Sequence, residues 1–418
     1  MNEAQVVALE LERVEPTVPA LMDRDDVFYA KVEKRPVQII SSRDMRIPLE
    51  LRPGGSSGHW DPDGGDMGRG DGSTFDKGVI NTVHLIHRVE WTTKSTWSTE
   101  NSKKAVLSAF RHNLAKGMDE FRRYMDSLCM TAGDGVLATI GTVANAGGVD
   151  TYTMNASGDG FGVRLLRFGQ TINVYAANLL TNRTAGAEKT ITFYDLANKQ
   201  IKIPQVAGAI ATDKVVAQGL SATPPVSLFG VPYHNNDAST GTWLGFDRAL
   251  TPEVRASRVN ANSGALTLPL PRLAINKVGD RVGMKYLKKC TACMHPAQVA
   301  AYEELGQLAI IINKEAKEEG LDLYFNDNMR MAGAPIMKSY SWDKTRIDFI
   351  DFNNWGRAEY HKAGFYTDPE GRKFFIIRGA SGGVAAANIF YLVASWNLYA
   401  SNPAALTYIS TLAVPSGY

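Results

Sequence analysis

The sequence predicts a mixed α+β fold, and three observations support that prediction. The stretch from Ser98 to Gly135 has the apolar periodicity of one long helix. A two-stranded ribbon with alternating apolar residues precedes it, starting at Pro36. A run of short strands from Gly160 to Gly219 follows it, which is typical of a small β-barrel or sandwich inserted in a larger domain.

The composition is that of an ordinary globular protein that can bury a sizeable core. Of 418 residues, 44% are hydrophobic and 21% are charged, and 45 basic against 43 acidic residues leave a net charge of +2. The basic excess of a dedicated nucleic-acid binder does not stand out. No apolar run reaches the length of a membrane span, and the N-terminus lacks the order of a signal peptide. Three cysteines do not make a disulfide framework, so we expect synthesis in a reducing cytoplasm.

The N-terminal region is predicted to be an arm followed by the ribbon. Residues Met1 to Lys34 are acidic and interrupted by prolines, which favours an extended arm that needs a partner surface or else frays. Apolar residues then alternate from Met45 to Leu51 and, on the return, from Val83 to Trp91. The segment between them, Arg52 to Gly78, is rich in glycine and aspartate. Such a ribbon is marginal alone in water, so we expect a neighbouring copy of the chain to cover it.

The long helix is predicted from one apolar stripe with steps of three and four residues. Thr99 or Asn101 can cap its start, and Gly133 or Gly135 can end it. About thirty residues at roughly 1.5 Å each give a rod of roughly 45 Å, well over twice the average globular helix. The stripe consists of Leu107, Phe110, Leu114, Met118, Phe121, Met125 and Leu128.

Helices and strands alternate after the inserted strands. The pattern predicts a helix from Pro271 onwards, a short strand from Cys290 to Met294, and a helix that begins at Pro296. Another strand begins near Gly333, and β-hairpin sequences follow. The last predicted strand is long and ends at Pro403.

The clearest candidate for chemistry is Cys290-Thr291-Ala292-Cys293, with His295 close by. A zinc site needs four ligands, and no second Cys/His cluster accompanies this one. A redox pair normally lies at a helix start in a thioredoxin-like unit, and here the helix begins only at Pro296. The favoured interpretation is a buried structural pair, with redox or metal chemistry as the alternative.

The remaining motifs give weaker signals. A cluster of aspartates at the ribbon tip could bind a hard cation, but its spacing does not match an EF-hand, so a solvated loop is favoured. Arg69-Gly70-Asp71 spells a cell-adhesion tripeptide, and three-residue matches arise by chance. Two glycine-rich stretches resemble phosphate-binding loops loosely, because no helix follows either. The clustered aspartates are Asp61, Asp63, Asp66 and Asp71.

The histidines do not suggest a metal or catalytic site either. They are scattered without an HExxH arrangement, and His84 and His87 should lie on opposite faces of a strand. No GxSxG elbow appears, because such an elbow needs a strand directly before it and a helix directly after it. The sequence therefore assigns no catalytic, cofactor-binding or metal-binding residue.

The order of acidic arm, ribbon, long helix and a mixed region closing on long strands is distinctive. Six stretches of sequence support the same interpretation as this order of elements: GDGVLATIG, GVRLLRFGQTINVY, FGVPYHNNDASTGTWLGFDR, CMHPAQVAAYEELGQL, EEGLDLYFNDNMRMAGAPI and NPAALTYISTLAVPSGY. Together they resemble the major capsid proteins of tailed bacteriophages, which share the Hong Kong 97-type fold. The resemblance covers roughly Pro36 to the C-terminus.

The resemblance implies a division of the chain into seven segments. Some relatives cross-link a loop lysine to an asparagine, but no motif identifies a partner for Lys77, so the cross-link is not carried over. The arm looks too short for a fused scaffolding domain, which implies a separate scaffold. The segments are an N-terminal arm (1–34), an extended β-ribbon loop over a neighbouring subunit (35–97), a spine helix with the start of the peripheral domain (98–159), an inserted β-barrel-like subdomain (160–222), an axial domain (223–346), peripheral-domain strands (347–378) and a C-terminal axial strand (379–418).

The implied function is structural and not enzymatic. The chain would self-assemble as hexamers and pentamers into the icosahedral head of a phage, around double-stranded DNA held without sequence specificity. Scaffold, portal and decoration proteins would be its partners, with no membrane, and its location would be the virion after assembly in the host bacterial cytoplasm. The alternatives are an encapsulin-like compartment shell, an enzyme that uses Cys290 and Cys293, and a tail or decoration protein, which suits the long helix poorly.

Overall fold

The computed structural model describes residues 27–41, 43–59, 63, 68–94, 109–154, 161–184, 187–283, 289–312, 330–378 and 384–416. Its α-helices are α1 (Val27–Lys31), α2 (Ala109–Cys129), α3 (Val231–His234), α4 (Pro269–Val282) and α5 (Pro296–Ile312). None of these described helices is long and apolar enough to cross a membrane. The strands are β1 (Gln38–Ile39), β2 (Asp44–Arg52), β3 (Thr74–Asn81), β4 (Val83–Thr92), β5 (Val136–Ala146), β6 (Val149–Met154), β7 (Thr171–Tyr175), β8 (Lys189–Thr190), β9 (Phe193–Asp195), β10 (Gln200–Pro204), β11 (Lys214–Ala217), β12 (Thr242–Trp243), β13 (Phe246–Asp247), β14 (Ser257–Asn260), β15 (Thr291–Met294), β16 (Arg330–Met331), β17 (Ala334–Lys338), β18 (Ile347–Ile350), β19 (Trp355–Phe365), β20 (Phe374–Arg378), β21 (Val384–Ala400) and β22 (Thr407–Ser410).

The chain divides into two compact units, each built from separate stretches of sequence. The chain passes between them five times, and three of these passages fall within α2, β19 and β21. Unit 1 comprises Met1–Lys31, Thr82–Ser127 and Glu359–Trp396, and unit 2 comprises Val32–Asn81, Leu128–Ala358 and Asn397–Tyr418.

Unit 1 is built on a four-stranded sheet in which β4 and β20 pair antiparallel with the long strand β21, beside β19. Alternation along β4 turns His87 and Val89 toward α2. The ring of His87 stacks on Phe121 of α2, with centroids 6.1 Å apart. Gly117 of α2 lies against Val89 so closely that an added Cβ would stand 2.8 Å from the valine Cγ2. The missing side chain lets helix and sheet approach.

Helix α2 differs from the sequence prediction in its length and in its buried stripe. It is described over 21 residues and ends at Cys129, before the predicted Gly133. Residues 95–108, with the predicted caps, lie outside the described residues. Met118 was expected in the buried stripe but is 39% exposed. A step of four residues back from the buried Phe121 leads to Gly117, so the stripe passes beside Met118.

The end of the predicted arm forms α1 and is not extended. Phe28 is fully buried, and the backbone N–H groups of Phe28 and Tyr29 donate to Asp126 Oδ1 at 3.1 and 2.8 Å. The ring of Tyr29 also packs edge-on against Trp396, with centroids 5.4 Å apart. This part of the arm is therefore anchored within unit 1.

Unit 2 is organised around a mixed six-stranded sheet of order β14-β22-β18-β15-β17-β16. The β14–β22 and β15–β17 pairs are parallel and the others are antiparallel. Ile275 of α4 and Val299 of α5 join the same apolar cluster as Met294 of β15. The sequence analysis grouped Ile347–Ile350 with the strands up to residue 378, whereas in the structure it pairs with β15 and β22 of this sheet. All four of its residues are buried, which suits a strand inside this sheet.

A second sheet of unit 2 is antiparallel and has the order β8-β7-β11-β5-β6-β10-β9. It contains the strands predicted at 160–222, but it begins earlier, at Val136. Strands β5 and β6, predicted as part of the helix segment, are central in it. Gly147 and Gly148, with φ of 59° and 79°, form the two-residue turn between these strands.

The ribbon is shorter than predicted and partly buried by its own chain. Strand β2 pairs with β3, with Met45 opposite Ile80. The expected return strand, from Val83 to Trp91, instead forms β4, which pairs with β21 in unit 1. Met45 and Ile80 are fully buried in a cluster with Trp243 and Tyr399. The base of the ribbon thus belongs to the core of unit 2.

Candidate assembly surface

The cysteine motif is buried, and its environment keeps the Cys290 thiol protonated. Cys290 and Cys293 are 2% and 0% exposed and unbonded to each other. Burial, and then the negative charge of Asp351, raises the pKa of the Cys290 thiol to about 11. Cys293 donates its S–H to the Thr291 carbonyl at 3.8 Å. Since a thiolate is the nucleophile and the metal ligand, this environment works against both kinds of chemistry.

The aspartate cluster of the ribbon tip is only partly within the described residues. Asp61 and Asp66 lie outside the described residues, whereas Asp63 and Asp71 are exposed. In the part of the chain that the structure describes, no group of three or more His, Cys, Asp or Glu could hold a metal ion. In the tripeptide 69–71, the Asp71 carbonyl accepts a backbone hydrogen bond from Gly55 at 2.7 Å.

The two histidines of β4 lie on opposite faces, as the spacing predicts. His84 Nδ1 lies 2.7 Å from Ser395 Oγ on an exposed face, whereas the His87 ring stacks on Phe121. Neither contact forms a catalytic or metal-binding pair.

Unit 2 contains a buried histidine, His234, that the sequence alone did not mark as important and that joins three parts of the unit by hydrogen bonds. His234, at the end of α3, is fully buried, and its ring meets Trp243 and the Leu398 carbonyl. Burial lowers the pKa of His234 to about 3, against a hydrogen bond to Leu398 that raises it. The sequence signal that could have identified His234 is the density of aromatic and polar residues around it, in FGVPYHNNDASTGTWLGFDR.

An ion pair with a buried carboxylate lies in the same unit. The Arg346 guanidinium donates to both carboxylate oxygens of Asp348, at 2.7 to 2.9 Å. Asn235 and Trp342 also donate to this carboxylate, at 2.6 and 3.0 Å. Burial alone would lower the pKa of Arg346, but the charge and hydrogen bonds of Asp348 raise it. The group is fully paired, so it stabilises structure and leaves no reactive carboxylate.

The outer face of the ribbon is the exposed surface best suited to a contact with another chain. Cross-strand partners share a face of a sheet, and Glu50 pairs with Phe75 while Pro48 pairs with Lys77. Phe75 is 68% exposed. Ile39 in the neighbouring edge strand β1 is 49% exposed. The Phe75 ring therefore lies between the Glu50 carboxylate and the Lys77 ammonium, on the face of the ribbon opposite the buried one. Exposed aromatic residues in such surroundings are typical of protein–protein interfaces.

Comparison with known proteins identifies the fold. No protein-family model matches the chain, and no curated protein matches it either. Among solved structures, the chain is similar to a chain of the cyanophage A-1(L) capsid asymmetric unit, with a TM-score of 0.56. The two are 9% identical in sequence, and the match covers 99% of each chain.

Two further solved structures match over nearly the whole chain. One is the capsid of a native GTA particle, at 13% identity, a TM-score of 0.48 and coverage of 99% of this chain and 100% of that one. The other is an encapsulin from Synechococcus elongatus, at 9% identity, a TM-score of 0.46 and coverage of 99% and 97%. These two TM-scores support no conclusion. The cyanophage comparison shows that the chain has the α+β fold of a phage capsid subunit.

Proposed function

We propose that this chain is the major capsid protein of a tailed phage, with a Hong Kong 97-type fold. It self-assembles as hexamers and pentamers into the icosahedral shell that encloses double-stranded DNA, and it is not an enzyme. The observation that supports this most is the match to the cyanophage A-1(L) capsid chain, which covers 99% of both chains. A match of that extent leaves little of this chain for a separate catalytic domain.

In this proposal the segments have the roles that the sequence resemblance implies. Helix α2 is the spine helix, unit 1 is the peripheral domain, and the ribbon of β2 and β3 is the extended loop that reaches a neighbouring subunit. A separate scaffold, a portal and decoration proteins are the further partners, and the virion is the final location after assembly in the bacterial cytoplasm. The exposed Phe75 on the ribbon supports the loop assignment, because its burial by a neighbour would contribute about 2 kcal/mol.

The first experiment is expression of the full chain alone, followed by sedimentation and negative-stain microscopy. We expect closed shells, or hexamers and pentamers of the chain. A chain that stays monomeric at all concentrations, with and without a scaffold protein from the same source, would contradict the proposal. Shells that carry a cargo protein and no nucleic acid when isolated from the natural source would favour an encapsulin-like compartment.

A matched pair of variants tests the ribbon surface. Phe75→Ser should leave the fold intact and lower the fraction of chain in shells or capsomers. Phe168→Ser is the control, because Phe168 is 65% exposed and also belongs to unit 2 but lies outside the ribbon. Equal assembly of both variants, with unchanged circular dichroism, would contradict a ribbon contact between subunits.

A further inference from the structure

Helix α4 and the loop before β14 carry three cationic side chains, Arg255, Lys277 and Arg281. Lys277 and Arg281 are four residues apart on α4 and therefore share a side of the helix. Arg281 Nη1 donates to the Arg255 carbonyl at 2.6 Å, which joins the helix to the loop. Leu250 and Leu273 belong to the same two elements and are 77% and 48% exposed. We call these residues of unit 2 the basic surface.

Neutral acceptors hold the three cationic groups in place. Lys277 Nζ donates to the Arg258 carbonyl at 2.7 Å, and Arg255 Nε donates to the Arg248 carbonyl at 2.6 Å. The Arg281 guanidinium donates to two backbone carbonyls, at 2.6 and 3.1 Å. The side chains are therefore oriented before a partner binds, which reduces the conformational entropy that binding costs.

The three cationic groups have no carboxylate within 4.0 Å among the residues that the structure describes. Glu253 and Asp280 are the acidic residues nearest to them in sequence, and Glu253 pairs with Arg52 at 3.2 Å. Burial lowers the pKa of Arg281, the charge of Glu253 raises it, and the charge of Arg255 lowers it. A further negative group would stabilise this surface, because it would offset the repulsion between Arg255 and Arg281.

The leucines of the basic surface indicate a partner with apolar as well as acidic groups. Leu250 follows Ala249, whose carbonyl accepts a hydrogen bond from Arg255 Nη2 at 3.4 Å. Leu273 lies one turn of α4 before Lys277. A nucleic-acid backbone offers negative charge but no aliphatic side chain to cover these leucines. An acidic peptide that also contains apolar residues offers both.

The N-terminal segment of the chain, residues 1–26, has this composition. It contains seven acidic residues and two arginines. Its first half is also apolar, with Val6, Val7, Leu9 and Leu11 interspersed with glutamates. The segment lies outside the described residues, and α1 begins directly after it. Its sequence is therefore complementary to the basic surface in charge and in apolar content.

We propose that the basic surface binds the acidic N-terminal segment, residues 1–26, of a second copy of the chain. Such a contact rests on the proposed function, in which many copies of one chain touch each other. The segment and the surface are different parts of the chain, so the contact is heterologous and can link successive copies around a ring. The carboxylates accept those N–H groups of Arg255, Lys277 and Arg281 that bind no carbonyl, and the apolar residues cover Leu250 and Leu273.

Carbodiimide cross-linking of the full chain tests the contact, because it joins a carboxylate to a lysine only where the two touch. Shells or capsomers are assembled from an equal mixture of unlabelled and isotope-labelled chain, and cross-linked peptides are identified by mass spectrometry. We expect an amide between Lys277 and Glu10, Glu12 or Glu15, in pairs that combine one labelled and one unlabelled peptide. Lys277 cross-links found only within one label would show a contact inside one copy and would overturn the proposal.

A matched pair of variants with unchanged circular dichroism tests the charge complementarity. Arg281→Gln removes one positive charge and keeps an amide that can donate to a backbone carbonyl, so the yield of the Lys277 cross-link should fall about fivefold. Lys362→Gln is the control, because Lys362 is exposed, belongs to unit 1 and should leave the yield unchanged. Equal yields for the two variants would overturn the proposal.

Ionic strength tests the same charges without a substitution. Raising the NaCl concentration from about 0.1 to about 1 M shortens the Debye length from about 10 to about 3 Å, so the yield of the Lys277 cross-link should fall. A yield that does not change with salt would contradict a contact based on charge.

The extent of assembly distinguishes failure of this contact from failure of the proposed function. Shells that form without a cross-link between Lys277 and the N-terminal segment would overturn the contact and leave the capsid function intact. A chain that forms neither shells nor capsomers would contradict both. Absence of the cross-link, together with protection of Lys277 by added double-stranded DNA, would identify a nucleic-acid backbone as the occupant and would overturn the proposal.

Discussion

The indole N–H of Trp243 donates to Nδ1 of His234 at 3.0 Å, and this bond sets the protonation state of a fully buried imidazole. An indole can only donate, so Nδ1 carries no proton and the neutral ring holds its proton on Nε2. That Nε2 lies 3.1 Å from the Leu398 carbonyl and donates to it. One ring therefore joins α3, the strand that holds Trp243, and the end of β21.

Removing this ring should lower the stability of the chain strongly. His234→Ala leaves the indole N–H of Trp243 and the Leu398 carbonyl without partners and opens a cavity, so we expect the free energy of unfolding to fall by about 3 kcal/mol. Urea denaturation followed by tryptophan fluorescence measures it. The control is His361→Ala, because His361 is exposed and a change there should cost below about 0.5 kcal/mol. Equal midpoints for the two variants would contradict the role of His234.

The same residue should make stability depend on pH. The folded chain holds the pKa of His234 near 3, whereas the unfolded value is 6.5. Below pH 6.5 the unfolded chain binds a proton at His234 that the folded chain does not bind. The contribution of His234 to the free energy of unfolding is therefore complete above pH 6.5 and decreases as the pH falls toward 3. The expected slope is about 1.4 kcal/mol per pH unit between roughly pH 6 and 4.

Comparison with His234→Ala isolates that slope from the titration of carboxylates. The free energy of unfolding of the original chain should decrease more steeply over this range than that of the variant, by about 1.4 kcal/mol per pH unit. Urea denaturation at several pH values gives both slopes. Parallel curves would show that His234 is protonated in the folded chain.

Removing the Asp348 charge should lower the free energy of unfolding more than removing a surface ion pair does. Asp348→Asn leaves the Arg346 guanidinium, whose side chain is only 16% exposed, without its counter-charge, so we expect a loss of about 3 kcal/mol in the free energy of unfolding. Glu253→Gln is the matched control. It removes the partner of Arg52 at 3.2 Å, where the two side chains are 62% and 40% exposed, and should cost below about 1 kcal/mol. Similar losses in the free energy of unfolding for both variants would show that other groups stabilise the Arg346 charge when Asp348 is neutral.

Local signals predicted some elements well, and long-range pairings limited the rest. The proline at position 296 marked the start of α5, and a long apolar run marked β21. The return strand of the ribbon was predicted from Val83 to Trp91 because apolar residues alternate there, whereas the strand that pairs with β2 is β3. Alternation identifies a strand but not its neighbour.

Long-range contacts also limited the prediction of candidate sites. The basic surface brings Arg255 and Arg281 together from positions 26 residues apart. The Asn235–Asp348 hydrogen bond joins residues 113 positions apart. Side chains that meet only through tertiary packing leave no spacing in the sequence that could be recognised. The motif at Cys290 was conspicuous because its residues are close in sequence, and its burial gives it a structural role.

The cysteines should be inert in the folded chain. All three are buried, at most 2% exposed, and the Cys290 thiol has its pKa raised to about 11, so almost none of it is thiolate at neutral pH. We expect a thiol reagent such as Ellman's reagent to label no cysteine rapidly in buffer and all three in denaturant. The double variant Cys290→Ala, Cys293→Ala should also assemble as the original chain does. Rapid labelling of a thiol in buffer, together with loss of a measurable activity in the double variant, would restore the enzyme alternative.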